Sequence, residues 1–250
     1  MKCAINQPTY LPWMGQFNLM DQVDVFVFYD DVQLVKQSWD IRNLIKTSQG
    51  PLWLSIPILH DKSFFEMKFN NTCTDQKKKW KLKHFKSIQN AYTKAPFYKT
   101  VIEWLEPVML NDIELLGNSN IHLITSISRK IGITTRFVNS TDLNSQSGVK
   151  DERLVAVCKE LGADSYLSPF GAHSYIESNN SSGAFANSGV ELFYHNYTHP
   201  VYPQIHGDFL EYMCVLDLLF NVGFDNALPV IRSGRKDPLT SDDIKNKNEK

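Results

Sequence analysis

The chain has 250 residues, with 26 Lys and Arg against 27 Asp and Glu and 42% apolar residues. That length makes one or two domains and buries about 70–75% of the unfolded surface, so the core needs neither disulfide nor metal. A formal charge of −1 speaks against a general nucleic-acid binder, no run of 18 apolar residues can span a membrane, and the N-terminus is too short in apolar residues for a signal peptide.

Residues 2–7 read as a short buried strand stopped by Pro8. A Pro-containing loop follows, then Gly15 and an amphipathic segment to residue 21. Val23 to Tyr29 (VDVFVFY) is apolar on both faces, as a central strand of a parallel sheet is, and it ends in Asp30-Asp31. Strand, short helix and buried strand make a βαβ opening. LWLSIPI at 52–58 predicts a strand closed by Pro57, with 64–69 as its partner. From 75 to 106 the pattern is helical and basic, interrupted by Pro96 and Pro107. Residues 112–131 predict a long helix ending at Gly132, and 134–138 a short strand.

A polar loop at 139–149 leads to a helix over 151–161 with Gly162 as its stop. Strands follow at 164–168 and 190–194, and an apolar helix over 208–222 ends at Gly223. Gly234 to Lys250 read as a polar, disordered tail. The alternation predicts an α/β fold, a Rossmann-like, mostly parallel sheet flanked by helices. One domain spans 1–233, with a helical insertion or subdomain around 70–130 that covers the site. Cys3, Cys73, Cys158 and Cys214 form no Cys-x-x-Cys pair and read as reduced, mostly buried thiols of a cytoplasmic protein.

In open parallel sheets ligands bind at the carboxyl ends of the strands. Three loops follow such ends here. The first carries Gln7, Thr9, Tyr10, Trp13 and Gly15. The second runs from Asp30 and Asp31 through Gln33, Lys36, Trp39, Arg42, Asn43 and Lys46. The third carries Ser168, Gly171 and Tyr175. Each joins polar groups to aromatics and Gly or Pro, as ligand pockets do, although such residues also shape tight turns. Asp30 and Asp31 point to opposite sides if the strand continues, so one can serve as a base or bind a metal or sugar hydroxyls while the other caps a turn. No further acidic spacing supports a magnesium cage. Lys36, Arg42 and Lys46 suit the phosphates of a nucleotide or nucleotide sugar, or else form a solvated helix face. The lysines at 77–86 fall on several sides of a helix and read as solvated. His199, on a Pro-stiffened loop with Tyr202 and Gln204, is an acid/base candidate. The histidines form no metal motif, and no Walker loop or G-x-S-x-G is present.

QPTYLPWMGQF, DVFVFYDDVQLVKQSWDIRNLIK and WLSIPI resemble the start of the WbqC-like family. AYTKAPFYK, DERLVAVCKELGADSYLSPFGAHSYI, HPVYPQ and VLDLLFNVG resemble its later blocks. The resemblance implies a bacterial, cytoplasmic role in O-antigen and other surface-polysaccharide biosynthesis. It points to N-acyl or aminoacyl (glycyl-type) transfer onto the amino group of a nucleotide-linked amino sugar. In that reading Asp30, Asp31 or His199 is the base, and Gln7, Gln33, Asn43 or backbone N–H groups near Gly15 and Gly171 meet the oxyanion. Arg42, Lys36 and Lys46 hold phosphate, and Tyr10, Trp13 and Trp39 stack on base or sugar. The acyl donor stays open among an ATP-activated acid, a thioester and an aminoacyl carrier, and the oligomeric state stays open too. The alternative is a non-catalytic nucleotide-sugar-binding or scaffold protein of a polysaccharide assembly complex. The first loop also resembles, more weakly, the nucleotidylyl-transferase superfamily that includes pantothenate synthetase. Its His-x-Gly-His is replaced here by Trp13-Met14-Gly15-Gln16, which puts the usual ATP chemistry in doubt.

Overall fold

The structure, a computed structural model, describes residues 1–35, 38–145, 148–178 and 180–248. The chain runs through β1 (Lys2–Asn6), α1 (Met14–Met20), β2 (Val25–Phe28), β3 (Arg42–Thr47) and β4 (Gly50–Ser55), then α2 (Trp80–Tyr92), α3 (Tyr98–Met109) and α4 (Leu116–Lys130). It continues through β5 (Arg136–Asn139), α5 (Lys150–Leu161), β6 (Ser165–Ser168), α6 (His173–Ile176), β7 (Glu191–Tyr194), α7 (Val215–Ser233) and α8 (Ser241–Asn248).

Strands that are apolar on both faces must be covered on both, and the alternation of side chains decides what covers each. In β1 and β2, Ala4, Phe26 and Phe28 face one core, shared with α1, α2, α3, α4 and α7. Cys3, Ile5, Val25 and Val27 face the other, shared with α5, α6 and Ile244 of α8. Helices on both faces of a five-stranded, all-parallel sheet define the α/β class. Each fully buried Phe contributes about 1.5–3 kcal/mol relative to exposure, so this double burial holds the sheet without a covalent link.

The strand order is β5-β2-β1-β6-β7. The chain builds outward from β1 through β2 to β5, then returns to the other side of β1 for β6 and β7. The direction of winding therefore reverses between β1 and β6. β1 pairs with β2 along Cys3 to Asn6, but with β6 only at Lys2 and Cys3. Beyond Cys3 the two strands part, and a crevice opens at their carboxyl ends.

Several elements differ from their expectations. The partner of β4 is not 64–69 but β3, in a tight antiparallel hairpin with Asn43 opposite Leu54 and Ile45 opposite Leu52. Asn43, Ile45 and Lys46 are buried, so the basic segment is a half-buried strand and not a solvated helix face. Residues 64–66 form a single helical turn. Pro107 lies inside α3 near its end, where it removes one i→i−4 bond while buried Leu105 and Met109 hold the turn in place. The apolar helix starts at Val215. Gly223 breaks it, and a second helical stretch continues to Ser233. Past Gly234, where disorder is expected, α8 forms: Ile244 is buried, and Ser241 donates to Glu177 at 2.6 Å. No helix among the described residues is long and apolar enough to cross a membrane.

Candidate functional site

At the parting of β1 and β6 lies a cavity of about 440 Å³. Asn6, the last residue of β1, and Gly15, Gln16 and Leu19 of α1 form one side. Pro169, Phe170 and Gly171 follow β6, and His195, Asn196 and Tyr197 follow β7. Trp13 and Tyr212 complete the wall. This is the topological switch point, where open α/β sheets bind their ligands. No Asp, Glu, Lys or Arg is among the lining residues. The occupant therefore meets aromatic faces and uncharged polar groups.

Trp13 immediately precedes α1, and its indole folds back over the first turn of the helix. A Cβ on Gly15 would lie 2.2 Å from that indole, so glycine is required for the ring to lie there. Tyr212 and Tyr197 meet the indole edge-on at 5.1 and 5.6 Å, and His199 stacks on it at 5.9 Å. The loop before the helix is pinned from within: Thr9 Oγ1 donates to Gln16 Oε1 at 2.8 Å, and Gln16 Nε2 donates to the Gln7 carbonyl at 3.4 Å.

Two side chains bring unsatisfied polar atoms to the cavity. The Asn6 amide has no hydrogen-bond partner among the described residues. His195 is buried; its backbone N–H donates to Ser168 O at 2.8 Å, and its Nε2 lies 2.9 Å from Asn18 Oδ1. Its Nδ1 has no partner among the described residues. Burial, reinforced by the nearby Arg235 guanidinium, pushes the His195 pKa down to about 4, so the ring is neutral at pH 7. A neutral imidazole with one free nitrogen is a hydrogen-bond acceptor and a proton acceptor.

Of the residues singled out from sequence, Trp13, Gly15 and Gly171 line this cavity. The Asp30 carboxylate instead accepts from Ser140 Oγ, Thr141 Oγ1 and Thr141 N at 2.9–3.1 Å, tying β2 to the turn after β5. Asp31 lies 2.6 Å from the same Ser140 Oγ, whose one proton the two carboxylates share, and pairs with Arg153. Its burial opposes ionisation, but the Ser140 and Arg153 bonds outweigh that and hold its carboxyl below the usual range. Both carboxylates are thereby engaged in bonds that tie β2 to its neighbours. His199 donates from Nδ1 to Pro200 O at 2.9 Å and accepts the Tyr212 N–H at Nε2, so both nitrogens serve the loop backbone. Burial lowers its pKa, against the pull of the Pro200 carbonyl. All three candidate bases are thus engaged in bonds within the fold.

Tyr10 is fully buried, with its hydroxyl 2.8 Å from His84 Nδ1. Asn43 Nδ2 donates to the carbonyls of Tyr10 and Leu11, stapling the first loop to the hairpin. Lys46 is buried, and its Nζ donates to Gln204 Oε1, Gly207 O and Asp208 O, which leaves it unsuited to hold phosphate. Gln204 in turn donates to the Tyr202 hydroxyl, which donates to buried Asp217 at 2.8 Å. Arg42 lies over the Trp53 ring, and Trp39 packs on the same ring, away from the cavity lining. Gln33 bridges to Lys68, Ser168 donates to Pro169 O, and Tyr175 is half-exposed with burial raising its pKa to about 12. Lys36 lies outside the described residues. Among those residues no three His, Cys, Asp or Glu side chains converge as a metal site.

Asn6 and His195 carry no motif in the sequence. Both sit at the carboxyl end of a strand, which was the available signal. What makes them candidates, a free amide and a free ring nitrogen, is set by neighbours distant in sequence.

Strand order, crevice and cavity together define a Rossmann-like α/β protein with a cavity, the candidate site, at its switch point. The profile of the WbqC-like protein family matches residues 7–228, and the chain belongs to that family. It is 35% identical over 224 residues to the uncharacterized protein Rv1507c of Mycobacterium tuberculosis, covering 89% of this chain and 94% of that one. No solved structure matches the chain.

Proposed function

We propose that the chain is an enzyme of bacterial surface-polysaccharide biosynthesis that transfers an acyl or aminoacyl group to the amine of a nucleotide-linked amino sugar. The observation that carries this reading is the free Nδ1 of neutral His195, on the wall of an aromatic cavity that also presents the free Asn6 amide. The amine attacks the acyl carbonyl carbon; a C–N bond forms, and the donor's leaving group departs with the electrons of its bond to that carbon. The attacking nitrogen becomes acidic as its bond forms, and its proton passes to His195 Nδ1. The Asn6 amide N–H meets the developing oxyanion. Trp13, Phe170 and Tyr212 offer faces to the amino-sugar ring. With no charged side chain in the lining, the diphosphate extends out of the cavity.

His195→Gln tests this. General-base loss costs about 10²–10⁴-fold in rate. The variant should lose that much transfer while an amino-sugar nucleotide still raises its melting temperature. An undiminished rate would remove His195 from the reaction. One feature favours a second reading, a non-catalytic nucleotide-sugar-binding protein: the carboxylates at the end of β2 are both engaged, and none lines the cavity. Acceptor binding without transfer from any activated acid, thioester or aminoacyl carrier would select it.

A further inference from the structure

His195 can accept a proton at Nδ1 only if its hydrogen sits on Nε2, and the residue facing Nε2 decides that. Asn18 is fully buried on α1, in the turn after Gly15. Its Nδ2 donates to the Ile231 carbonyl at 3.1 Å, which fixes the amide's orientation. Its Oδ1 is thereby turned to His195 Nε2 at 2.9 Å, and it also accepts from Gln22 Nε2 at 2.6 Å. An amide oxygen only accepts, so His195 Nε2 must donate, and the neutral ring then carries its lone pair on Nδ1.

We propose that Asn18 is the positioning residue of this site, holding His195 in the Nε2–H tautomer with Nδ1 unprotonated at the cavity. The tautomer follows from geometry alone; its use in transfer rests on the function proposed above. The His195 ring stacks on Tyr197 at 5.7 Å. Arg235 is the charged group whose field reaches the ring, and it pairs with Asp21 at the end of α1, which Arg232 also holds. A neutral amide at position 18 adds no charge to this set, so nothing there favours the imidazolium.

The experiment is long-range ¹H–¹⁵N spectroscopy of ¹⁵N-histidine-labelled full chain, with His195→Gln assigning the resonances. The unsubstituted protein should show a protonated Nε2 and a bare Nδ1 on His195 from pH 8 down to pH 5. Asn18→Asp, which keeps the oxygen but adds a negative charge, should raise the His195 pKa by about 1–3 units. Asn18→Leu should release the tautomer preference if it folds; the unsubstituted spectrum tests the proposal regardless. An Nδ1–H signal in the unsubstituted protein, or a titration unmoved by Asn18→Asp, would overturn the role of Asn18. Spectra as expected but transfer unchanged by Asn18→Asp would uphold Asn18 and remove His195 from the chemistry.

Discussion

A carboxylate bound by several donors is held in place, and at the end of β2 Asp30 meets three donors and Asp31 two. Arg153 crosses from α5 to reach Asp31, and its guanidinium also lies over the Tyr29 ring at 4.7 Å. The pair is largely buried, with each side chain 12% exposed. Removing one partner leaves the other without its charge-assisted bond, a loss of about 1.5–3 kcal/mol. Arg153→Ala should lower the denaturant midpoint by that amount at pH 7. Because the Asp31 carboxyl is held below its ordinary value, the pair's contribution is present at neutral pH and disappears as the pH falls toward and below 4. The deficit of Arg153→Ala should therefore shrink in acid. Transfer per folded molecule should stay within a few-fold of the unsubstituted protein. A deficit that does not shrink as the pH falls below 4, or a loss of transfer with the fold intact, would contradict this assignment. The adjacent carboxylates were plain in the sequence. Their occupation was not, because Ser140, Thr141 and Arg153 arrive from more than 100 residues away.

Elements were legible where the pattern of burial sits in the local sequence. VDVFVFY can only be covered on both faces, and β2 is. The helix over 151–161 stops at Gly162 as its glycine predicts. The β3–β4 hairpin was not legible, because Lys46 and Asn43 are polar residues in buried positions. They are paid for by partners on the loop at 204–208 and on the loop before α1. The tail is not legible for a similar reason: one buried isoleucine and a bond to Glu177 order α8, and composition does not show them. In α7 the break at Gly223 is a packing feature. Its φ of 79° and ψ of 173° suit glycine, and a Cβ there would lie 2.7 Å from the Phe97 ring. Gly223→Ala combines strain with a clash and should cost about 1–3 kcal/mol, read as a drop in the denaturant midpoint. A neutral effect would mean that α7 runs straight through this position.

For the molecule as a whole, the site is a consequence of topology. β1 and β6 diverge because the chain reverses its winding there, and the cavity fills the divergence. The rule for parallel sheets located the first and third loops, and Trp13, Gly15 and Gly171 with them. It overreached at the second loop, whose polar residues build the hairpin and anchor the loop at 204–208 to it. In the proposed function the crossover cavity binds the substrate. Gly171 lines it without a left-handed φ, and a Cβ there meets nothing within 4 Å, so Gly171→Trp adds an indole at the cavity wall without straining the backbone. The direct measurement is a thermal-shift titration of the unsubstituted protein and Gly171→Trp with UDP- and dTDP-linked amino sugars. At 100 times its dissociation constant a ligand adds about 2.7 kcal/mol, roughly 5–10 °C for a chain of this size. Binding in the cavity should give such a shift for the unsubstituted protein with at least one of these ligands and none for Gly171→Trp at the same concentration. An equal shift in both proteins, or none in the unsubstituted one, would contradict it.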